Sequence, residues 1–400
     1  MTTGRIVIIG AGQAGASAAM KLRALGHRGP LVMVGDETAP PYQRPPLSKK
    51  YLLGEMAMDR LLLRPEAFWA EQQIDLRLGQ PVLSINRSAQ EVRLGDDVLR
   101  YDTLVLATGA EPRRVPAAIG GDLPGVHVVR RVADIDALAP EMTPGRRLLV
   151  VGGGYIGLEA AAVARKLGLE VTVIEAAPRI LGRVAAPETA DFIRALHRRH
   201  EVEIIEGVGL DRLLGDTRLT GARLADGRQI AASLAVVGIG VEPSAGLAAA
   251  AGLPVAGGVV VDAFGRTADP AIWAAGDCTL LPFRGHQLRL ESVQNAIDQA
   301  EAVAANILGA ARPYHPKPWF WSDQYDLKLQ IAGLNLGHDR VVIRPGPTPS
   351  HWYFAGDTLL AVDALGDARA YMIGKRLIEA GRSPDPAMLA DPAMDLKSLL

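Results

Sequence analysis

Apolar residues along this chain come in short unbroken runs that end on glycine, with stretches of helix-forming composition between them. The first run, Ile6 to Ile9, has strand length and leads into GAGQAG; Ala14 to Leu25 then predicts a helix, and Leu31 to Val34 the next strand. The same order returns later as Leu148 to Val151, GGGYIG, a helix over Leu158 to Leu167 and a strand over Val171 to Ile174. Between the copies, YDTLVLATGAEPR (101–113) reads as a buried strand ending in a glycine turn, and LAVVGIGVEPS (234–244) mirrors it after the second copy. Val202 to Ile230 is expected to be hairpin-like, turning at Asp226–Gly227. Short strands follow over Gly258 to Asp277, then a helix from about Val293 to Leu308. The proline-rich ARPYHPKPWFW (311–321) marks a boundary. Beyond it, the alternation in LKLQIAGL and DTLLAVDAL predicts a small antiparallel sheet under a helix from Ala370 to Ala380.

The pattern therefore predicts an α/β fold: two Rossmann-like dinucleotide-binding domains plus a C-terminal α+β domain. The expected division is 1–112 with 242–315 for the first, discontinuous domain, 113–241 for the second, and 316–400 for the third.

Composition narrows the partners. The chain has 400 residues, 22% charged and 48% hydrophobic, and a formal net charge of -1, so no global field draws it to nucleic acid or an anionic membrane. RALHRRH (194–200) is a local basic patch; it reads as a solvated helix face, with an acidic partner as the other use. The uncharged stretch from Pro243 to Val261 approaches the length of a membrane span, but its alanines, glycines and Pro254 predict a packed segment or loop. A single cysteine, Cys278, excludes a disulfide within the chain. With no convincing signal peptide, the expected setting is cytoplasmic.

The glycine turns carry the first chemistry. In Gly10-x-Gly12-x-x-Gly15, the first glycine permits a tight turn, the second admits a pyrophosphate to the backbone, and the third lets helix and strand pack closely. The helix N-terminus then offers free N–H groups to the phosphates. Asp36, with Glu37 beside it, is placed to accept from an adenosine ribose. The second copy has Gly152-x-Gly154-x-x-Gly157, and its strand runs out on Glu175. A carboxylate there pairs with ribose hydroxyls and repels a 2′-phosphate, which favours NADH, although Arg179 lies near enough in sequence to meet one. Two dinucleotide sites imply a relay between two cofactors. TADPAIWAAGDC (267–278), a strand ending in Gly-Asp, is a common turn on its own. After two fingerprints and the ATG of Ala107, Thr108 and Gly109, it points to a flavin in the first site.

These residues resemble the FAD-dependent pyridine nucleotide-disulfide oxidoreductase superfamily. Within it the chain is similar to the NADH:ferredoxin reductases of bacterial oxygenase systems, the putidaredoxin reductase and biphenyl-dioxygenase reductase group. The resemblance spans essentially the whole chain and is most specific in PPYQRPPLSKKYL (40–52), GGGYIGLE (152–159), RLESVQNA (289–296) and PWFWSDQY (318–325). It implies a glutathione-reductase-like fold. It further implies FAD contacts at Ala14, Asp36, Arg44, Lys49, Val82, Arg130, Asp277 and Val293, with Pro45 against the flavin ring. Gly154, Tyr155, Ile156, Glu159 and Glu175 are the implied NADH contacts, with Gly240 on the facing strand. Glu159 is implied beside the nicotinamide amide, and Trp321 beside flavin and nicotinamide. Separately, the prolines before Lys49 restrict its backbone, so its ammonium could be fixed near the flavin and favour the anionic reduced form. Trp319 and Trp321, two apart on a strand, would face one way, with Trp319 read as core.

An absence selects the branch. Between Asp36 and Leu53 there is no cysteine pair and no single cysteine for thiol chemistry; Cys278 follows Asp277 and reads as packing. Electrons must leave the flavin for an external acceptor. The resemblance implies a [2Fe–2S] ferredoxin, Rieske-type or ligated by cysteines alone, and an activity of the EC 1.18.1 type. Rubredoxin, a quinone or monodehydroascorbate are alternative acceptors, and a redox-sensing flavoprotein like the apoptosis-inducing factors is the rival class. Arg44, Arg284 and Arg289 are basic candidates for a docking face. No metal site, nucleic acid or membrane is expected, and the chain is expected to be a monomer or weak homodimer.

Overall fold

The structure, a computed structural model, describes residues 3–400. The chain divides into two compact units. One comprises residues up to Gln43, Met58–Glu111 and Val241–Pro318; the other comprises Arg44–Ala57, Pro112–Gly240 and Trp319–Leu400.

The first unit is centred on a parallel sheet whose strands lie in the order Ile272–Ala274, Thr103–Leu106, Ile6–Ile9, Leu31–Val34, Ile74–Arg77. The inner strands are covered on both faces, which is why Ile6–Ile9, Leu31–Val34 and Leu104–Leu106 read as continuous apolar runs rather than alternating ones. The helices Gln13–Ala24 and Val293–Ile307 close one face around Ile6, Ile8, Leu22, Met33 and Val303. Val7, Ile9, Val34 and Leu104 pack on the other, where the antiparallel strands Ser84–Asn86, Glu91–Leu94 and Asp97–Arg100 contribute Ile85, Val92 and Leu99.

The second unit repeats the design. Its parallel sheet runs Glu203–Glu206, Glu170–Glu175, Arg147–Val151, Leu234–Val237, Val126–His127. The same unit holds a five-stranded antiparallel sheet in the order Trp319–Gln324, Leu327–Gly333, Thr358–Leu365, Ser350–Ala355, Arg340–Arg344, with helix Ala368–Glu379 packed on it. The mixed α/β architecture is the expected one.

Two expectations are corrected, and a third, the packed segment or loop at 243–261, is met. The hairpin-like region does not begin at Val202: Glu203–Glu206 pairs parallel with Glu170–Glu175, burying Ile204, and forms the edge of the parallel sheet. Only Leu210–Leu214, Gly221–Leu224 and Gln229–Ala231 form an antiparallel layer, turning at Gly227 (φ +88°). The second fingerprint helix starts at Tyr155 rather than Leu158, because Gly154 is extended and acts as its N-cap. The uncharged stretch 243–261 is broken into short pieces, including helix Gly246–Ala250 and strand Val259–Val260. Among the described residues, no helix is long and apolar enough to cross a membrane.

The glycines are fixed by close approach. A Cβ on Gly10 (φ +112°) would lie 2.1 Å from the Ala107 carbonyl oxygen, and one on Gly152 (φ +105°) 2.4 Å from that of Gly238. On Gly15 and Gly157 it would lie 1.8 and 2.2 Å from the carbonyls of Gly10 and Gly152. No side chain larger than hydrogen fits the first or third position of either turn.

Candidate functional site

In the first unit, the predicted residues gather at the carboxyl ends of the parallel strands, where open α/β sheets bind their ligands. Helix Gln13–Ala24 starts on Gly12 with no side-chain cap and no acid in its first turn, so its N–H groups face outward. The third strand-end turn lies against it: a Cβ on Gly276, next to Asp277, would be 2.9 Å from the Ala14 Cβ. Ala107, Thr108 and Gly109 form the second turn, tied down by the Thr108 hydroxyl donating to the Ser244 carbonyl at 2.6 Å. Of the two acids after Leu31–Val34, Glu37 accepts from the Tyr42 hydroxyl at 2.5 Å, while Asp36 is exposed at the strand end. Val293 opens its helix beside the Ser292 cap, and Val82 packs under the sheet with the apolar cluster of Val7 and Val34. Cys278 is fully buried, its thiol directed at the Leu106 and Ala275 carbonyls (3.6 and 3.5 Å), and burial pushes it up from its ordinary range. It is packed, as expected.

In the second unit, helix Tyr155–Lys166 begins on Gly154, again with no side-chain cap and no acid in its first turn. Glu175, the last residue of its strand, accepts from the backbone N–H of Gly153 through one oxygen and of Ala177 through the other, both at 2.8 Å. The carboxylate is thereby fixed at the lip of the glycine turn. Around that turn Ile156, Val184 and Ile239 remain 43, 39 and 42% exposed, an apolar lining in solvent. Gly240 (φ +99°) lies beside the Arg183 side chain. The Tyr155 ring rests 5.0 Å from that of Phe320; its hydroxyl is buried without a hydrogen bond, and burial drives its titration well above the ordinary tyrosine range.

One group of residues is brought together that sequence alone treats separately. The short 3-10 turn Pro45–Ser48 presents Ser48 and Lys49 to Glu159, which is 2% exposed. Glu159 Oε2 accepts from Lys49 Nζ at 2.7 Å and from the Ser48 hydroxyl at 2.6 Å; Oε1 accepts from the Ser322 hydroxyl at 2.7 Å. Lys49 Nζ also donates to the Pro45 carbonyl at 3.3 Å. Arg44, in the same segment, donates to the Arg130 carbonyl at 2.7 Å, so two implied flavin contacts are joined directly. Ser322 lies on strand Trp319–Gln324. Its neighbours Trp319 and Trp321 lie on the opposite face with centroids 5.5 Å apart, and Trp319 packs into the apolar cluster of Tyr371 and Leu377 as expected.

Sequence reasoning missed Ser48, Ser322, Gln324 and His197. It also misjudged RALHRRH, which is not simply a solvated face. Within it Arg194 pairs with Glu206 at 2.8 Å, His197 is fully buried, and His200 stacks on Tyr325 with centroids 3.7 Å apart. Burial pushes His197 down to about 4, so it is neutral at physiological pH. A second buried cluster fastens the start of the same helix to the C-terminal sheet. Asp363 accepts from Thr189 at 2.8 Å and from Tyr353, whose hydroxyl accepts from the Ala186 N–H at 3.1 Å. Of the suggested docking arginines, Arg289 pairs with Glu291 at 2.6 Å and Arg284 lies over the Phe283 ring.

The chain is similar to known proteins along nearly its whole length. Residues 4–300 match the family model described as pyridine nucleotide-disulphide oxidoreductase, and residues 319–400 match the one described as reductase C-terminal. The chain is 43% identical over 399 residues to a rhodocoxin reductase of Rhodococcus erythropolis, covering 98% of this chain and 93% of that protein. It is 41% identical over 402 residues to the 5,5′-dehydrodivanillate O-demethylase ferredoxin reductase subunit of a Sphingobium species, covering 98% and 97%. In structure it superposes on the reductase of a covalent putidaredoxin reductase–putidaredoxin complex with a TM-score of 0.96, at 39% identity, covering 100% of this chain and 98% of that one.

Proposed function

The chain belongs to the pyridine nucleotide-disulphide oxidoreductase family, and from that premise we propose that it takes hydride from NADH onto FAD and passes electrons singly to a [2Fe–2S] ferredoxin serving an oxygenase. The observation that carries this reading is the pair of uncapped, acid-free helix N-termini, each behind a turn whose first and third glycines admit no side chain, in a chain whose one thiol is buried. Two such cradles fit two dinucleotides, and no dithiol is present to take the electrons onward.

FAD, when bound, supplies the conversion between a two-electron donor and a one-electron acceptor. The first unit would hold it through Gly10, Gly12, Ala14, Gly15, Asp36, Ala107, Thr108, Gly109, Val82, Asp277 and Val293. Arg44, Pro45, Lys49, Arg130 and Trp321 are the further FAD contacts that the family resemblance implies. NADH would lie along Gly152, Gly154, Tyr155, Ile156, Gly157 and Gly240. Glu175, already oriented by two backbone N–H groups, would accept from the adenosine ribose and repel a 2′-phosphate. Glu159 would meet the nicotinamide amide, and its negative charge anchors the Lys49 ammonium at the reacting end. Trp321 would shield that end from water. The domain division follows the same logic, with 1–112 and 242–315 for FAD, 113–241 for NADH, and 316–400 as the C-terminal domain. A cytoplasmic setting, as monomer or weak homodimer, completes the proposal.

The test is NADH-driven reduction of a panel of purified ferredoxins, Rieske-type and all-cysteine-ligated. Turnover with at least one supports the reading. A yellow protein bleached by NADH that reduces none of them, and instead turns over rubredoxin or a quinone, would replace the acceptor.

A further inference from the structure

The Glu159 carboxylate is the end of a longer chain of buried hydrogen bonds. Ser322 Oγ is 2.7 Å from Glu159 Oε1 and 3.1 Å from the Gln324 side-chain nitrogen. The Gln324 oxygen is 2.8 Å from His197 Nε2, and His197 Nδ1 is 3.2 Å from the Tyr325 hydroxyl. Ser322, Gln324 and His197 are all 0–1% exposed, whereas Tyr325 is only partly buried.

The direction of every bond in this chain follows from one charge. An ionised carboxylate only accepts, so Ser322 must donate to Glu159. Its oxygen is then left to accept, so Gln324 must turn its NH2 toward it and its carbonyl toward His197. His197 must carry its proton on Nε2 to donate to that carbonyl. Its bare Nδ1 then accepts from Tyr325. No amide or imidazole orientation is left free. Each dipole has its positive end toward Glu159, and aligned bonds in a dry interior reinforce one another. The chain is not a proton wire, because the Gln324 amide has no proton to pass on without becoming an imidic acid.

We propose that Ser322, Gln324 and His197 are positioning residues that hold the Glu159 carboxylate in one orientation, and through it keep the Lys49 ammonium tethered between Glu159 and the Pro45 carbonyl. The role rests on the reading of Glu159 and Lys49 as part of the hydride site. The coupling between residue 159 and the His197 tautomer stands on geometry alone. The arrangement assigns a job to the C-terminal domain besides shielding: alternate residues of strand Trp319–Gln324 send the two tryptophans to one face and Ser322 and Gln324, with Phe320, to the other.

The experiment is nitrogen NMR of the flavin-loaded protein labelled at its eight histidines, with the His197 signals assigned by their loss in His197→Phe. The wild type is expected to show His197 wholly in the Nε2–H form. Ser322→Ala and Glu159→Gln each free Gln324 to turn over, and are expected to give a mixture of tautomers; Ser322→Thr, which keeps the hydroxyl, restores the single form. In parallel, flavin bleaching by NADH is expected to slow roughly tenfold in Ser322→Ala and Gln324→Met and to recover in Ser322→Thr, with NAD+ affinity within about twofold. An Nδ1–H tautomer in the wild type, or an unchanged tautomer in both Ser322→Ala and Glu159→Gln, overturns the proposal. Intact tautomer coupling in a protein that NADH cannot bleach would instead overturn the hydride reading and leave the chain standing.

Discussion

Ser17 and Glu159 occupy the same place in the two halves of the molecule, each two residues after the third glycine of its turn and each on the buried side of its helix. Ser17, 4% exposed, is served by Gln13, one turn back in its own helix, at 3.3 Å. Glu159 draws three donors from outside its repeat, on segments 110, 111 and 163 residues away. The frame is duplicated; the charge placed in it is not. A neutral hydroxyl can be satisfied locally, but a buried carboxylate costs several kcal/mol unless it is paired and hydrogen-bonded. The second copy therefore recruits Arg44–Ala57 and the C-terminal sheet, while the first needs neither for this position.

The largest effect should come from the shared frame. Gly15→Ala and Gly157→Ala each drive a methyl into a backbone carbonyl and should cost about 4 kcal/mol in denaturant unfolding. Their phenotypes should separate: Gly15→Ala loses flavin absorbance, whereas Gly157→Ala stays yellow but is not bleached by NADH. Next come the differing positions. Glu159→Leu leaves the Lys49 ammonium without its anion and should cost about 3 kcal/mol, while Ser17→Ala should cost no more than about 1 kcal/mol. Equal losses at the two positions would erase the contrast.

A pH series should reveal the neutral His197. Its folded value, about 4, lies below the unfolded 6.5, so the unfolded chain binds the extra proton in that window. The resulting stability is present above 6.5 and is lost as pH falls toward 4, by about 3 kcal/mol in all. His197→Phe should flatten that slope in unfolding measured across the window. A smaller effect than at Glu159 is expected at the other distinguishing acid. Glu175→Gln should lower kcat/KM for NADH about tenfold with kcat little changed, and narrow the preference over NADPH.

Much of the frame was legible because glycine and unbroken apolar runs leave no competing interpretation when a strand, a turn and a helix follow in order. Lys49 and Glu159 were each legible through resemblance, but their bond was not, since nothing in local sequence joins residues 110 apart. Ser48, Ser322 and Gln324 are small polar residues with no periodic signature. A signal did exist: Ser322 and Gln324 sit two apart in a strand next to tryptophans, which puts a polar pair on one buried face. His197 was hidden by its company. Charged Arg194, Arg198 and Arg199 made the segment read as solvated, although Thr189, Ala190, Ile193, Leu196 and His197 form the buried stripe of that helix.

Strand Trp319–Gln324 presents unlike faces, and this bears on how such reductases can be recombined. A one-residue insertion or deletion before Ser322 would exchange the two faces, turning an indole toward Glu159 and the hydroxyl toward the aromatic cluster. A chimera that takes its C-terminal domain from another reductase would inherit the spacing of that strand along with the rest. Hybrids that join within 318–324 should be the fragile ones, and those that carry a matched Glu159, Ser322 and Gln324 from one parent the functional ones.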